Sequence, residues 1–250
     1  MESAIWSQFR AGAIALALVT ALGSGASAQS DPSRYGERWS TDGRDPKTGQ
    51  RVAIRVDPQI RQKNTGGSDG AGLCVIASAT TAGRHEGVPG IDRLWEEAKK
   101  RPGGYYPEKL EKLVTEVLPG EKFGSYVGRD TKVVENLIRQ GHVVGTTTNT
   151  GSIYGGQRIH HMVDTVHLDG TSAAIVDNNK PEVEIWTDRS TYDERFVDGD
   201  EGWAFVWARA RPSLSSGSAG QLVLLFLSSV FGALVAILFR QPVEVSHELG

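Results

Sequence analysis

The sequence has one cysteine in 250 residues, so a disulfide framework is excluded and cohesion has to come from an apolar core. An excess of charge of one sign is also lacking: a formal net charge of -3 gives no reason to expect nucleic acid. No internal repeat is visible, no His/Cys/Asp/Glu spacing suits a metal, and the glycines from Gly151 to Gly156 lead into no helix that would cradle a phosphate. No cofactor is therefore expected. With 39% hydrophobic and 23% charged residues, the composition is that of an ordinary globular protein with room for one mid-sized domain.

Long apolar runs occur only near the two ends. Residues 1–28 combine Arg10, an uncharged stretch from Ala11 to Leu22 and the small residues Ala26-Ser-Ala28, the layout of a secretory signal cleaved after Ala28. Residues 221–239 carry no charge, stop at Arg240 and follow a Ser/Gly-rich spacer at 211–220. That run is long enough for a transmembrane helix, leaving 240–250 as a cytoplasmic tail. The expectation is a domain carried across the inner membrane and anchored there by its C-terminal helix, on the periplasmic or cell-surface side.

Between these ends, residues 29–65 read as an extended arm with one strand-like run, Gln50 to Val56, and with Trp39 as its anchor. Residues 66–210 form the domain. A buried helix opens at Cys74, and amphipathic helices follow over 91–100 and 107–118, the second with Leu110, Leu113, Val114, Val117 and Leu118 on one face. A further helix, capped by Asp130 and stopped by Gly141, precedes short strands over 142–148, 161–168, 171–176, 182–186 and 203–207. Helices first and strands second make an α+β layout, with the cysteine helix packed on a C-terminal antiparallel sheet.

The position of Cys74 gives it chemical meaning. It follows the turn formers Gly66-Gly-Ser-Asp-Gly70 and opens the helix, where unpaired backbone N–H groups and the helix dipole favour the thiolate. An odd thiol in an exported domain is a liability unless it has a use. His161 heads one strand and Asp177-Asn-Asn179 end the next. A hairpin turning at Asp169-Gly170 returns Asp177 or Asn178 to the imidazole, and either side chain can fix its tautomer while the other ring nitrogen serves the thiol.

Three segments, Gly70-Ala-Gly-Leu-Cys74-Val-Ile, His161-Met-Val and Ala174-Ile-Val-Asp177-Asn178-Asn179, together resemble the papain-like cysteine peptidase superfamily. Its bacterial double-glycine, bacteriocin-processing subgroup is the nearer likeness. The resemblance covers about Ser68 to Trp207 and implies a papain-like fold. It also implies Cys74 as nucleophile, His161 as base and then acid, Asp177 as orienter with Asn178 its rival, and a peptide or protein substrate. The family's glutamine about six positions before the cysteine is missing. Ser68 stands there and can donate from its hydroxyl, whereas an ionised Asp69 would oppose an oxyanion.

Two functions from different classes follow. One is a membrane-tethered cysteine hydrolase acting on a peptide or isopeptide bond. The other is an inactive papain-like domain that binds peptides, with the aromatic loop Arg101 to Tyr106 beside its cleft. Of the remaining histidines, His160 points to the other face of its strand, His167 shares the face of His161 as a core or surface residue, and His85, His142 and His247 read as structural.

Overall fold

The computed structural model describes residues 31–66, 72–197 and 199–208. The chain divides into two units, Met1–Arg209 and Ala210–Gly250, and the second lies wholly outside the described residues. So do the expected signal at 1–28, the spacer at 211–220, the apolar segment at 221–239 and the tail at 240–250. Among the described residues no helix is long and apolar enough to cross a membrane.

The fold is α+β. Seven strands form one antiparallel sheet: β1 (Glu37–Ser40), β2 (Phe123–Gly128), β3 (Val144–Thr148), β4 (His161–Leu168), β5 (Ser172–Val176), β6 (Glu184–Asp188) and β7 (Gly202–Trp207), in the spatial order β1-β6-β5-β4-β3-β7-β2. Strand β4 is in the middle, and all eight of its residues are buried. Its turn into β5 is set by Asp169, whose Oδ1 accepts the N–H groups of Thr171 and Ser172 at 2.8 and 2.9 Å.

Helix α1 (Cys74–Glu86) is buried from Val75 to Gly83, so it is an internal helix covered on every side rather than an amphipathic one. Its small residues permit close packing. A Cβ on Gly83 would stand 2.5 Å from Ile91 of helix α2 (Ile91–Lys99), and the Trp207 indole of β7 donates to the Ala79 carbonyl at 2.9 Å. The helix ends at Gly87 in the left-handed conformation (φ 68°), which returns the chain at once into α2. Helix α3 (Pro107–Val117) buries Leu110 and Leu113 at 0% and 1% exposure. Each such burial contributes about 1.5–3 kcal/mol. In helix α4 (Lys132–Arg139), Val134 and Ile138 are buried, while Val133 and Leu137 are half-buried. The Asp130 side chain accepts the Lys132 N–H at 2.9 Å just before that helix.

Several elements depart from the sequence expectation. The run 50–56 is not a strand: it makes an isolated bridge between Arg51 and Arg44, and the Ile54 N–H donates to the Val166 carbonyl at 3.0 Å. The arm instead supplies β1, which pairs with β6 through Glu37↔Thr187 to Ser40↔Glu184. Strand β2 and helix α5 (Arg189–Phe196) were also not expected. In β2 no residue is fully buried and glycines occupy two of six positions, while α5 buries only Tyr192, Arg195 and Phe196. Strand β6 begins at Glu184, two residues later than expected. Finally, a register shift in β4 between Thr165 and His167 breaks the alternation on which a shared face for His161 and His167 depends. His167 instead meets Asp169 and Ser172 through Nε2, and its ring packs against Trp186.

Candidate active site

The site is assembled where α1 begins and the central strand begins. Cys74 is the first residue of α1, half-buried, behind Leu73 at the N-cap position. His161, 7% exposed, is the first residue of β4. Strand β5 runs antiparallel to β4 and ends at Val176, so the next two residues, Asp177 and Asn178, return to the same end of the sheet, both buried.

Cys74, His161 and Asp177 come together here. The His161 Nε2 stands 3.0 Å from Asp177 Oδ1, which leaves the other ring nitrogen to serve the Cys74 thiol, with which His161 interacts. Burial pushes the Cys74 thiol up. The hydrogen bond and charge of His161, with the backbone N–H groups of Met162 and Val75, outweigh that and hold it below the ordinary thiol value. Burial likewise pulls the imidazole down, but Asp177 and the sulfur raise it to about 10. Both shifts favour the same state, a thiolate beside an imidazolium.

Asn178 is close by but has a different task. Its Nδ2 donates to the Cys74 carbonyl at 3.0 Å, the Ser78 hydroxyl at 3.0 Å and the Met162 carbonyl at 2.8 Å. It thereby ties the first turn of α1 to the start of β4 and does not reach the His161 ring. Ser68 and Asp69 lie outside the described residues. His160 is exposed just before β4, and His142 meets Glu86 at 3.3 Å.

Three further residues belong to this neighbourhood and were missed in the sequence. Tyr154, in a 3-10 turn at Ser152–Tyr154, donates its hydroxyl to Asp177 Oδ2 at 2.7 Å and sets its ring edge-on to His161 at 5.3 Å between centroids. Asp164, on β4, is 1% exposed with neither carboxyl oxygen hydrogen-bonded. Asn64, in the arm, accepts the Leu73 N–H at 2.9 Å directly before the cysteine. The glycines around Tyr154 read as loop, and no spacing ties a tyrosine to an acid 23 residues later. Asp164 lies in a strand that also carries His161, Thr165 and His167, so one more polar residue did not stand out.

No protein-family model matches the chain, and no curated protein matches it. Among solved structures, a chain from Bacillus anthracis described as a candidate C39-like peptidase superposes with a TM-score of 0.46 at 16% identity, over 65% of this chain and 100% of its own.

Proposed function

We propose that this protein is a cysteine hydrolase that cleaves a peptide or isopeptide bond, with Cys74 as nucleophile, His161 as acid and base, and Asp177 as orienter. One observation carries the reading: a thiol at the first residue of a buried helix interacts with an imidazole whose Nε2 is held at 3.0 Å by a buried carboxylate. A thiol kept only for packing needs neither partner.

In this reading the Cys74 thiolate attacks the carbonyl carbon, forming the C–S bond as the carbonyl π pair moves onto oxygen. The oxyanion is met by the Cys74 N–H, one of the unpaired donors of the first helical turn. Ser68 is proposed as the second donor from its sequence position. The His161 imidazolium gives its proton to the leaving nitrogen, the C–N bond breaks, and an acyl-thioester remains. The neutral imidazole then takes a proton from water, the hydroxide attacks the thioester, and the thiolate departs with the ion pair restored.

The test is alkylation of the full-length chain across pH, where Cys74 is the single thiol to react. The apparent thiol pKa should fall well below the free value of about 8.5 and rise towards it in His161→Ala. Coincident curves for parent and variant would reduce Cys74 to a packing residue and turn attention to peptide binding.

Placement outside the cytoplasm, with a C-terminal membrane anchor, is proposed from the apolar segments at 11–22 and 221–239, both beyond the described residues. A membrane-impermeant maleimide should then label Cys74 in intact spheroplasts expressing the full chain. Labelling only after lysis would place the thiol inside.

A further inference from the structure

The Asp177 carboxylate is gripped from more sides than an orienter needs. Its Oδ1 accepts from His161 Nε2 at 3.0 Å and from the Asn179 N–H at 2.8 Å, and its Oδ2 accepts the Tyr154 hydroxyl at 2.7 Å. The Tyr154 oxygen in turn accepts the Asn179 Nδ2 at 3.0 Å, and Asn179 Oδ1 accepts the Asn64 Nδ2 at 2.9 Å. Asn64 Oδ1 accepts the Leu73 N–H at 2.9 Å, one residue before the nucleophile. The bonds thus make one chain from Leu73 through Asn64, Asn179, Tyr154 and Asp177 to His161.

The turn that carries Tyr154 is itself anchored. Glu37 of β1 accepts the Ser152 N–H at 2.9 Å and also the Ser152 hydroxyl, and Gly155 closes the turn in the left-handed conformation at φ 62°. Tyr154 is therefore delivered to the site by contacts outside it, and its half-buried ring shields the imidazole edge.

We propose that Tyr154 is a positioning residue of this site: its hydroxyl, fed by Asn179, fixes the Asp177 carboxylate against His161 and ties that acid to the helix start that bears Cys74. The inference rests on the hydrolase reading above and adds a fourth member that acts through Asp177. A carboxylate that loses one of its donors is held less firmly against the imidazole, and an imidazolium with a weaker acceptor gives up its proton more readily. The charged or titratable groups around it are His161, Cys74, Tyr154 and Asp164, with Arg61 acting on Asp164 at longer range.

The experiment compares the pH profile of Cys74 alkylation in the full-length parent, Tyr154→Phe and Asn179→Ala, with a thermal unfolding midpoint for each. Tyr154→Phe keeps the ring and removes one oxygen. Its acid limb should move up by about half a pH unit or more, a roughly three-fold loss of thiolate below the apparent pKa. Asn179→Ala should move the limb in the same direction by less. A lowered midpoint with both acid limbs superposed on the parent's would reduce Tyr154 to a packing residue and overturn the inference alone. If Tyr154→Phe shows no cooperative unfolding, the exposed Asn179 decides, and an unmoved limb there overturns the proposal. If the parent thiol itself titrates at its free value, the hydrolase reading falls, and this inference with it.

Discussion

Asp164 is the residue whose surroundings suit it least. It sits on the central strand opposite Gly145 and Val176, and neither oxygen has a hydrogen bond. Burial, followed by the opposing pull of Arg61 and the push of Asp177, raises its carboxyl well above the ordinary 3.8, so folding favours its protonated form. The folded state then holds a proton that the unfolded chain releases above pH 3.8. Stability contributed by this group falls as pH rises from that value towards the raised one, and stays low above it. Asp164→Val, which removes the polar atoms at similar volume, should stabilise the protein by about 1–3 kcal/mol near neutral pH, and by less in mild acid. Urea unfolding at about pH 5 and pH 8 checks this. An equal difference at both values would mean that Asp164 does not titrate differently on folding.

Elements were legible where a single periodicity decided them. Helix α3 has its apolar residues at helical spacing and begins at Pro107, and β4 holds Met162, Val163, Val166 and Leu168 in a short run bounded by turn residues. The hairpin from β4 to β5 was legible because Asp169-Gly170 marks a turn between two such runs, and that hairpin brings Asp177 to His161. Helix α5 was not legible, because Tyr192 and Phe196 are the only apolar residues on its buried face among charged neighbours, and the residue at its N-cap position, Asp188, makes no capping bond and ends a strand. Strand β1 was not legible for a related reason. Glu37 is buried as an ion and Ser40 as a polar group, so the pattern that marks a half-buried strand is inverted. The two elements are joined by the Glu37–Arg195 pair across more than a hundred residues, and no local window contains both partners. The Cys74 and His161 positions were legible as chemistry on element ends, whereas Tyr154 reaches the site only through contacts with that same hidden strand.

At the scale of the whole molecule, these inverted elements decide whether the arm before Thr65 is an ornament or part of the fold. Glu37 is 3% exposed and faces Arg195 of α5 at 2.6 Å, while Arg195 Nη2 donates to the Tyr35 carbonyl at 2.6 Å. A second buried pair repeats the device: Arg61 meets Glu184 of β6 and donates twice to the Val56 carbonyl. Exposed ion pairs are worth about 0–1 kcal/mol, but removing one partner of a buried pair strands the other charge and costs about 3–5 kcal/mol. Glu37→Ala should therefore destabilise the protein by about 3–5 kcal/mol in denaturant unfolding. It should also slow Cys74 alkylation at neutral pH, because Ser152 loses the acceptor that holds the Tyr154 turn. A cost below about 1 kcal/mol with alkylation unchanged would make the arm a covering segment. The larger cost would make β1 a structural edge of the sheet, on which the geometry around Asp177 depends.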